Sequence, residues 1–315
     1  MLYALLRVAR EAGDDALVAL AARTSAGCAM YQDRLDEAGP LLEEAERLHR
    51  GAGDDLGTAN DLKVRAELAM RLGDLDGAGT LLEEAERLHR GVGNDLGTAN
   101  DLRARAELAV RQGDLDGAGP LLEEAERLHR GVEDDLGMAN DLTVHVKLAV
   151  RLGDLDEAGR LLGEAERLHR KVGDDLGAAN DLSVRAELAV RQGDLRGAEP
   201  LLEEAERLHR RVGSDLGTAN DLQIRARLMM LLSDLDGVVS LLEEAELLHR
   251  RAGNDLGAAN DLLVHANLLT LQGDFERALS KLDDAEELYE GMGDEHGLGL
   301  ANELRKRIEQ AITSE

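Results

Sequence analysis

Apolar residues recur along this chain at helical spacing, in two successive stretches of every 40-residue block. In the block that starts at Asp55, the first stretch carries Leu62, Ala66 and Ala69 three or four positions apart, with a second apolar stripe beside them. This spacing is typical of an α-helix, and two stripes predict burial on two sides. The second stretch, from Leu75, has one apolar stripe opposite charged residues, which predicts a helix with one solvated face.

Small and polar residues mark the expected ends of these two helices. We expect Asp55 to cap the first helix and Gly73 to end it, and Asp74 to cap the second. Gly91 and Gly93 are expected to supply a left-handed stop after the second helix. Each block is therefore predicted to fold as a pair of α-helices joined by a tight turn.

Three prolines fall inside the second helix of their blocks, about one turn from its predicted start. They are Pro40, Pro120 and Pro200. Because proline lacks the backbone N–H and crowds the preceding turn, we expect a kink or a late helix start in these blocks.

The blocks follow one another without a gap. We expect a partial helix over 1–14, seven repeats over 15–54, 55–94, 95–134, 135–174, 175–214, 215–254 and 255–294, and a capping helix over 295–315. A single helix pair cannot bury its apolar face, whereas stacked pairs can. The sequence therefore predicts one all-α solenoid domain over residues 1–315.

Composition narrows the function classes. The net charge of −28 argues against a general affinity for nucleic acid or anionic membranes. The single cysteine, Cys28, excludes an internal disulfide and a cysteine-based zinc site, and its register with Leu68 predicts a helical core position. With no targeting or spanning segment in view, we expect a cytoplasmic protein.

The stretch from Ala106 to Ala125 resembles the tetratricopeptide repeat (TPR). The counterparts of the family's small residues and turn are Ala106, Gly113, Asp114, Ala118 and Ala125. The resemblance implies a right-handed superhelix of helix-turn-helix repeats that binds a protein or peptide in a concave groove lined by the first helices.

The chain departs from the family's pattern in three ways. Its period is 40 residues instead of 34, Leu102 and Ala109 replace the bulky aromatic residues that are common in the family, and proline enters the second helix. The 40-residue form resembles repeats of bacterial signalling regulators and of eukaryotic polarity and motor adaptors. We expect longer helices and a different superhelix from these departures.

One face of each first helix varies between blocks while the core positions barely change, as expected of a surface that discriminates a partner. The candidate groove residues on this face are Asn60, Lys63, Glu67, Arg71, Asn100, Arg103, Glu107, Arg111, Asn140, Thr143, Lys147, Arg151, Asn180, Ser183, Glu187, Arg191, Asn220, Gln223, Arg227, Met230, Leu231, Asn260, Leu263, Asn267 and Leu271.

The side chains on this face change along the chain: many are basic in its first half, and most are apolar in its last part. We therefore expect a protein or peptide partner with an acidic part and a hydrophobic part. The alternative is that exposed positions vary freely and that Met229 and Leu269 belong to the core. The asparagine row, represented by Asn60, either bonds the backbone of an extended ligand or bonds the neighbouring repeat and sets the superhelical pitch. The structural role is favoured because buried amides need partners within the fold.

A histidine recurs at the end of each second helix, at His49, His89 and their equivalents. Repeats stand about 10 Å apart, too far for these residues to share an ion, so no metal is expected. We expect half-exposed histidines that interact with the helix dipole. No glycine-rich phosphate loop or distinctive carboxylate pair is present, so we expect no cofactor and no enzymatic activity.

Two other functions remain open besides a binding scaffold. The chain could be the ligand-sensing part of a larger bacterial signalling or transcription regulator, since it starts in mid-repeat. It could also be a self-associating structural module, with a homodimer formed through the apolar C-terminal part.

Overall fold

In a computed structural model, the chain is described over residues 2–31 and 34–314. These residues form sixteen α-helices in tandem and no strand, so the all-α prediction is confirmed for the described part. Residues 1, 32, 33 and 315, which the predicted partial helix, first repeat and capping helix include, lie outside the described residues.

The chain divides into two compact units, Met1–Leu168 and His169–Glu315. The helices of the first unit are α1 (Leu2–Ala12), α2 (Asp15–Tyr31), α3 (Leu35–Ala52), α4 (Asp55–Arg71), α5 (Leu75–Gly91), α6 (Asp95–Gln112), α7 (Leu115–Gly131), α8 (Asp135–Leu152) and most of α9 (Leu155–Val172). Those of the second are α10 (Asp175–Arg191), α11 (Leu195–Val212), α12 (Asp215–Leu231), α13 (Val238–Arg251), α14 (Asp255–Leu271), α15 (Phe275–Met292) and α16 (Glu295–Ser314).

The even-numbered helices are the first members of the predicted pairs and are called A helices; the odd-numbered ones are called B helices. Consecutive helices from α1 to α8 and from α10 to α16 pack against each other, and within each unit A helices also contact the next A helix along the chain. This is the TPR-like solenoid arrangement that the 40-residue period predicts. The assignment of residues 1–315 to one domain of seven repeats stays a prediction.

Leucine and alanine build the core between successive pairs. In the first unit Ala66 of α4, Leu82 of α5 and Leu108 of α6 share one buried cluster. Ala186, Leu202 and Leu228 repeat this arrangement in the second unit. Alanine lets the helices approach closely, and each fully buried leucine contributes about 2 kcal/mol. Leucine and alanine between closely packed helices therefore fill this core with almost no aromatic residues.

The helix caps lie within one residue of their predicted positions. Asp54 and not Asp55 caps α4, because its Oδ1 accepts a hydrogen bond from the Gly57 N–H at 2.9 Å. The prediction for Asp74 is confirmed by the same contact to Gly77. The prediction for Gly91 is wrong, since this residue is the last of α5, whereas the following Gly93 has the left-handed φ of 70°.

The predicted late start of the proline-containing helices is wrong. Helix α7 begins at Leu115, five residues before Pro120. The proline-free helix α5 begins at the equivalent residue of its repeat, Leu75. The proline removes one backbone hydrogen bond, but the turns that follow bury Leu122 and Ala125 completely, which offsets the loss. The late helix is instead α13, which contains no proline and begins at Val238.

A hydrogen bond between a buried histidine and a buried aspartate joins each of six B helices to the next A helix. Its Nδ1–Oδ2 distance is 2.5 or 2.6 Å in every pair. The pairs are His49–Asp61, His89–Asp101 and His129–Asp141 in the first unit, and His169–Asp181, His209–Asp221 and His249–Asp261 in the second. We call them the junction pairs.

The prediction of half-exposed histidines is therefore wrong. The six residues are at most 6% exposed, because an aspartate twelve residues later offers each imidazole a partner inside the core. Burial raises the pKa of Asp101, although the hydrogen bond from His89 opposes this shift. Gly97 keeps the junction tight, since a Cβ at this position would lie 2.6 Å from Cδ2 of His89.

Both partners of the junction pair are replaced together at the two ends of the array. The equivalent residues are Ala9 and Ala21 between α1 and α2, and Tyr289 and Ala301 between α15 and α16. All four are buried. Joint replacement is expected of a buried pair, because removing one partner leaves an uncompensated polar group, whereas removing both does not.

We predict strong coupling between His89 and Asp101. His89→Tyr or Asp101→Ala alone is expected to lower the free energy of unfolding by about 3 kcal/mol, because each leaves the other residue buried without its partner. The double variant His89→Tyr with Asp101→Ala, which copies the junction between α15 and α16, should cost less than the sum. Urea denaturation of all three variants measures this, and strictly additive losses would contradict the junction pair.

A second prediction concerns Ser233, which has a φ of 58° in the turn where Gly73, Gly113 and Gly153 occur in the first unit. A left-handed conformation costs a residue with a side chain about 1 kcal/mol. Ser233→Gly should therefore stabilise the protein by about this amount. The reverse substitution at the equivalent turn of the preceding repeat, Gly193→Ser, serves as the control and should destabilise the protein. Thermal unfolding of the two variants tests the sign of both changes.

Candidate functional site

Six of the predicted groove residues surround one cleft in the first unit. The cleft has a volume of about 250 Å³ and lies on the faces of α4 and α6. Its lining residues are Lys63, Glu67, Met70, Arg71, Arg103, Ala104, Glu107 and Arg111. The structure thus brings together residues that the repeat spacing assigned to one face, and their role in binding stays a prediction.

Most cations of this first cleft have partners within the protein. Arg71 donates to the backbone oxygen of Met30 at 2.8 Å. Glu107 accepts a hydrogen bond from Lys147 at 2.9 Å and pairs with Arg111 at 3.5 Å. Burial alone would raise the pKa of Glu107, but these cations bring it below its usual value. The first cleft therefore has an excess of cations, and several of them are engaged in contacts within the protein.

The side chain at the Lys63 position reaches the buried junction aspartate of the next A helix in four repeats. The contacts are Arg23–Asp61 at 3.2 Å, Arg103–Asp141 at 3.9 Å, Ser183–Asp221 at 2.5 Å and Gln223–Asp261 at 2.6 Å. Each supplies a hydrogen bond or a positive charge to a carboxylate that burial would otherwise destabilise. This position was predicted as a partner-binding position, and its contacts show that it also supports the junction between repeats.

Among the described residues, asparagines of this row make contacts within their own repeat, and not the contacts to the neighbouring repeat that the structural interpretation of the sequence predicted. Asn100 donates its amide N–H to the Leu96 backbone oxygen at 3.0 Å. Asn220 Oδ1 lies 3.0 Å from Nε2 of His249, the junction histidine of the same repeat. Asn60 and Asn180 make equivalent contacts in their repeats. Ligand binding by these residues remains a prediction.

A larger cleft, of about 460 Å³, lies in the second unit on α12, α14 and α16. We call it the C-terminal cleft. It contains five predicted groove residues and five that the sequence pattern did not assign. The predicted ones are Gln223, Arg227, Asn260, Leu263 and Asn267. The others are Val264, Leu300, Glu303, Leu304 and Arg307. Glu303 and Arg307 follow Leu263 and Asn267 by 40 residues, so extending the period into α16 would have found them.

The remaining predicted residues lie outside these two clefts. Leu231 and Leu271 are exposed by 60% and 61% at the ends of their helices. Met230 packs against a core cluster as a half-buried residue. Asn140, Thr143, Lys147, Arg151, Glu187 and Arg191 line neither cleft. Leu269 is buried in the core, and Met229 packs against a core cluster, as the alternative interpretation stated.

Two further features bear on the kind of site. Within residues 2–31 and 34–314 there is no cluster of three or more histidine, cysteine, aspartate or glutamate residues that could hold a metal ion. In the same part of the chain, every helix is too short or too polar to span a bilayer.

The sequence profile of the MalT-like TPR region matches residues 6–293. The chain therefore belongs to this family, and the TPR resemblance is confirmed. Among curated protein sequences, none matches the chain.

Solved structures share the fold at low sequence identity. A Rap protein in complex with competence and sporulation factor is 12% identical, with a TM-score of 0.66 over 95% of this chain and 87% of that one. A Signal Transduction ATPase with Numerous Domains (STAND) that has a tetratricopeptide repeat sensor, from Pyrococcus horikoshii, is 13% identical, with a TM-score of 0.66. This chain matches it over 98% of its own length and 50% of that protein's. BtubC from P. vanneervenii is 18% identical, with a TM-score of 0.59 over 68% and 88% of the two chains.

The contact between Arg23 and the buried Asp61 leads to a prediction. Arg23→Ala should lower the free energy of unfolding by about 2 kcal/mol, because hydrogen bonds to charged groups contribute roughly this much. The matched control is Arg47→Ala, which removes an exposed arginine of the same unit that has no ion pair among the described residues. Equal urea midpoints for the two variants would show that Arg23 does not support the junction.

Proposed function

We propose that this protein is a binding scaffold without catalytic activity or cofactor, which holds a peptide or protein segment against the faces of its A helices. The observation that carries this proposal is that residues which vary between repeats line a cleft in each unit, whereas the core clusters of the two units repeat almost unchanged. Clefts with apolar walls and a few polar groups are the usual form of binding sites. A scaffold of this kind is expected to act in the cytoplasm.

The proposed partner has an acidic part and a hydrophobic part. The first cleft contains four cations and two carboxylates, which favours an anionic segment over a cationic one. The C-terminal cleft adds leucine and valine side chains. The Rap protein with competence and sporulation factor bound supports the idea that such a fold accommodates a small partner.

A regulatory sensor is a second candidate. This chain matches half the length of a STAND protein whose repeats are described as a sensor. In that case the A helices would still bind the ligand, and the output would depend on a further part of a larger protein. The two candidates share the binding step and differ in what binding controls.

A self-associating module is a third candidate. Leu231 and Leu271 place exposed apolar surface at the ends of two A helices of the second unit. Exposed apolar patches of this kind mark association sites when they are contiguous. Size measurements over a range of protein concentrations test this candidate, and a monomer at high concentration would contradict it.

An affinity capture from native cell extract tests the binding proposal. The intact chain is compared with a variant in which Lys63, Arg71, Arg103 and Arg111 are all replaced by glutamate. We expect a discrete partner to be retained by the intact chain and lost from the variant, because reversal turns an attractive first cleft into a repulsive one.

The control is a second variant with four arginines of the solvated B-helix faces replaced by glutamate, namely Arg47, Arg87, Arg127 and Arg167, for an equal change in charge. Circular dichroism of both variants verifies that they are folded. A partner lost equally from both variants, or recovery of further copies of this chain alone, would contradict binding in the first cleft.

A further inference from the structure

Two arginines in the C-terminal cleft differ from the arginines of the first cleft in having no hydrogen-bonding or ion-pairing partner among the described residues. Arg227 on α12 and Arg307 on α16 are exposed, and neither forms a hydrogen bond or ion pair with any residue in the described part of the chain. Arg71, Arg103 and Arg111 each have an internal partner. An anion that enters the C-terminal cleft therefore gains two guanidinium groups without breaking an existing contact.

The repeat spacing places these two arginines in one row. Arg227, Asn267 and Arg307 follow one another at intervals of 40 residues and occupy equivalent positions on α12, α14 and α16. Successive A helices are in contact, so their axes lie about 10 Å apart. The two arginines therefore flank Asn267 with their backbones about 20 Å apart, which an extended peptide covers in about six residues.

Apolar side chains and the amides of two asparagines line the C-terminal cleft beside the arginines. Leu263 and Val264 of α14 and Leu304 of α16 line the cleft beside Asn267. Asn260 also lines it, and its oxygen accepts the hydrogen bond of the Tyr289 hydroxyl at 2.7 Å. The group that Asn260 can offer a ligand is therefore its amide N–H₂, a donor suited to a peptide carbonyl.

We propose that the C-terminal cleft binds an extended peptide segment that has two acidic side chains about six residues apart and an aliphatic side chain between them. The carboxylates pair with Arg227 and Arg307, the aliphatic group packs on Leu263, and the amides of Asn260 and Asn267 hold the peptide backbone. Glu303 in the same cleft disfavours a denser polyanion, such as a phosphate-rich ligand. The proposal rests on the proposed binding function and adds, in the second unit, a preference for acidic side chains to the one proposed for the first cleft.

The test uses capped, fluorescently labelled nonapeptides of alanine with two glutamates six positions apart and a leucine two positions after the first glutamate, so that all three side chains share one face of the extended peptide. Binding to the full chain is measured by fluorescence polarisation at low ionic strength. We expect about tenfold weaker binding for the peptide with glutamines in place of glutamates, and the same loss for Arg227→Gln or Arg307→Gln. The matched control is Arg196→Gln, an exposed arginine on α11 that has no ion pair among the described residues and lies outside the cleft.

A displayed library of random peptides, panned on the full chain, separates the proposal from the binding function on which it rests. Enriched peptides with the acidic spacing, weakened by Arg227→Gln but not by Arg196→Gln, support the proposal. A second outcome is that enriched peptides bind both arginine variants normally but lose binding on Leu300→Asp, at the exposed edge of the cleft. That outcome would overturn the acidic motif while still supporting peptide binding in the cleft. A folded chain that retains no nonapeptide and no library member overturns both.

Discussion

The hydrogen bond between a buried histidine on one B helix and a buried aspartate on the next A helix is the constraint on which the rest of this structure depends. A carboxylate inside a core of leucine and alanine is unfavourable unless it is paired, so His89 and Asp101 must stay in contact. That requirement determines how the next helix pair sits on the previous one within a unit. Gly97 belongs to the same constraint, because a larger residue would collide with the imidazole.

The junction divides the residues of the A-helix face into two groups. Residues such as Arg23 and Gln223 contact the next junction aspartate, so their identity reflects stability as well as any ligand. Arg227 and Arg307 lie on the same face and have no such contact in the described residues. Variation between repeats therefore has two physical origins, and the contacts separate them where the sequence alone does not.

Much of the fold could be predicted because helical spacing and the 40-residue period are local patterns. The A and B helices, the Asp74 cap and the double burial of A helices all follow from neighbours in sequence. The burial of His89 could not be predicted in that way, because its partner lies on another helix. A signal was nevertheless present, since histidine and aspartate are replaced together at Tyr289 and Ala301. The cleft residues of α16 were missed because the period was not extended to this last helix.

Deletion of residues 95–134 tests most directly whether the junction pairs hold successive repeats together. The deletion removes one complete period and brings His89 and Asp141 to the same twelve-residue spacing that joins His89 to Asp101. The account predicts an unchanged helical fraction by circular dichroism and one cooperative urea transition with a smaller m-value, as expected of a shorter array. Adding Asp141→Ala to the deletion should lower its stability by about 3 kcal/mol. Loss of the cooperative transition on deletion alone, or no effect of Asp141→Ala, would contradict the account.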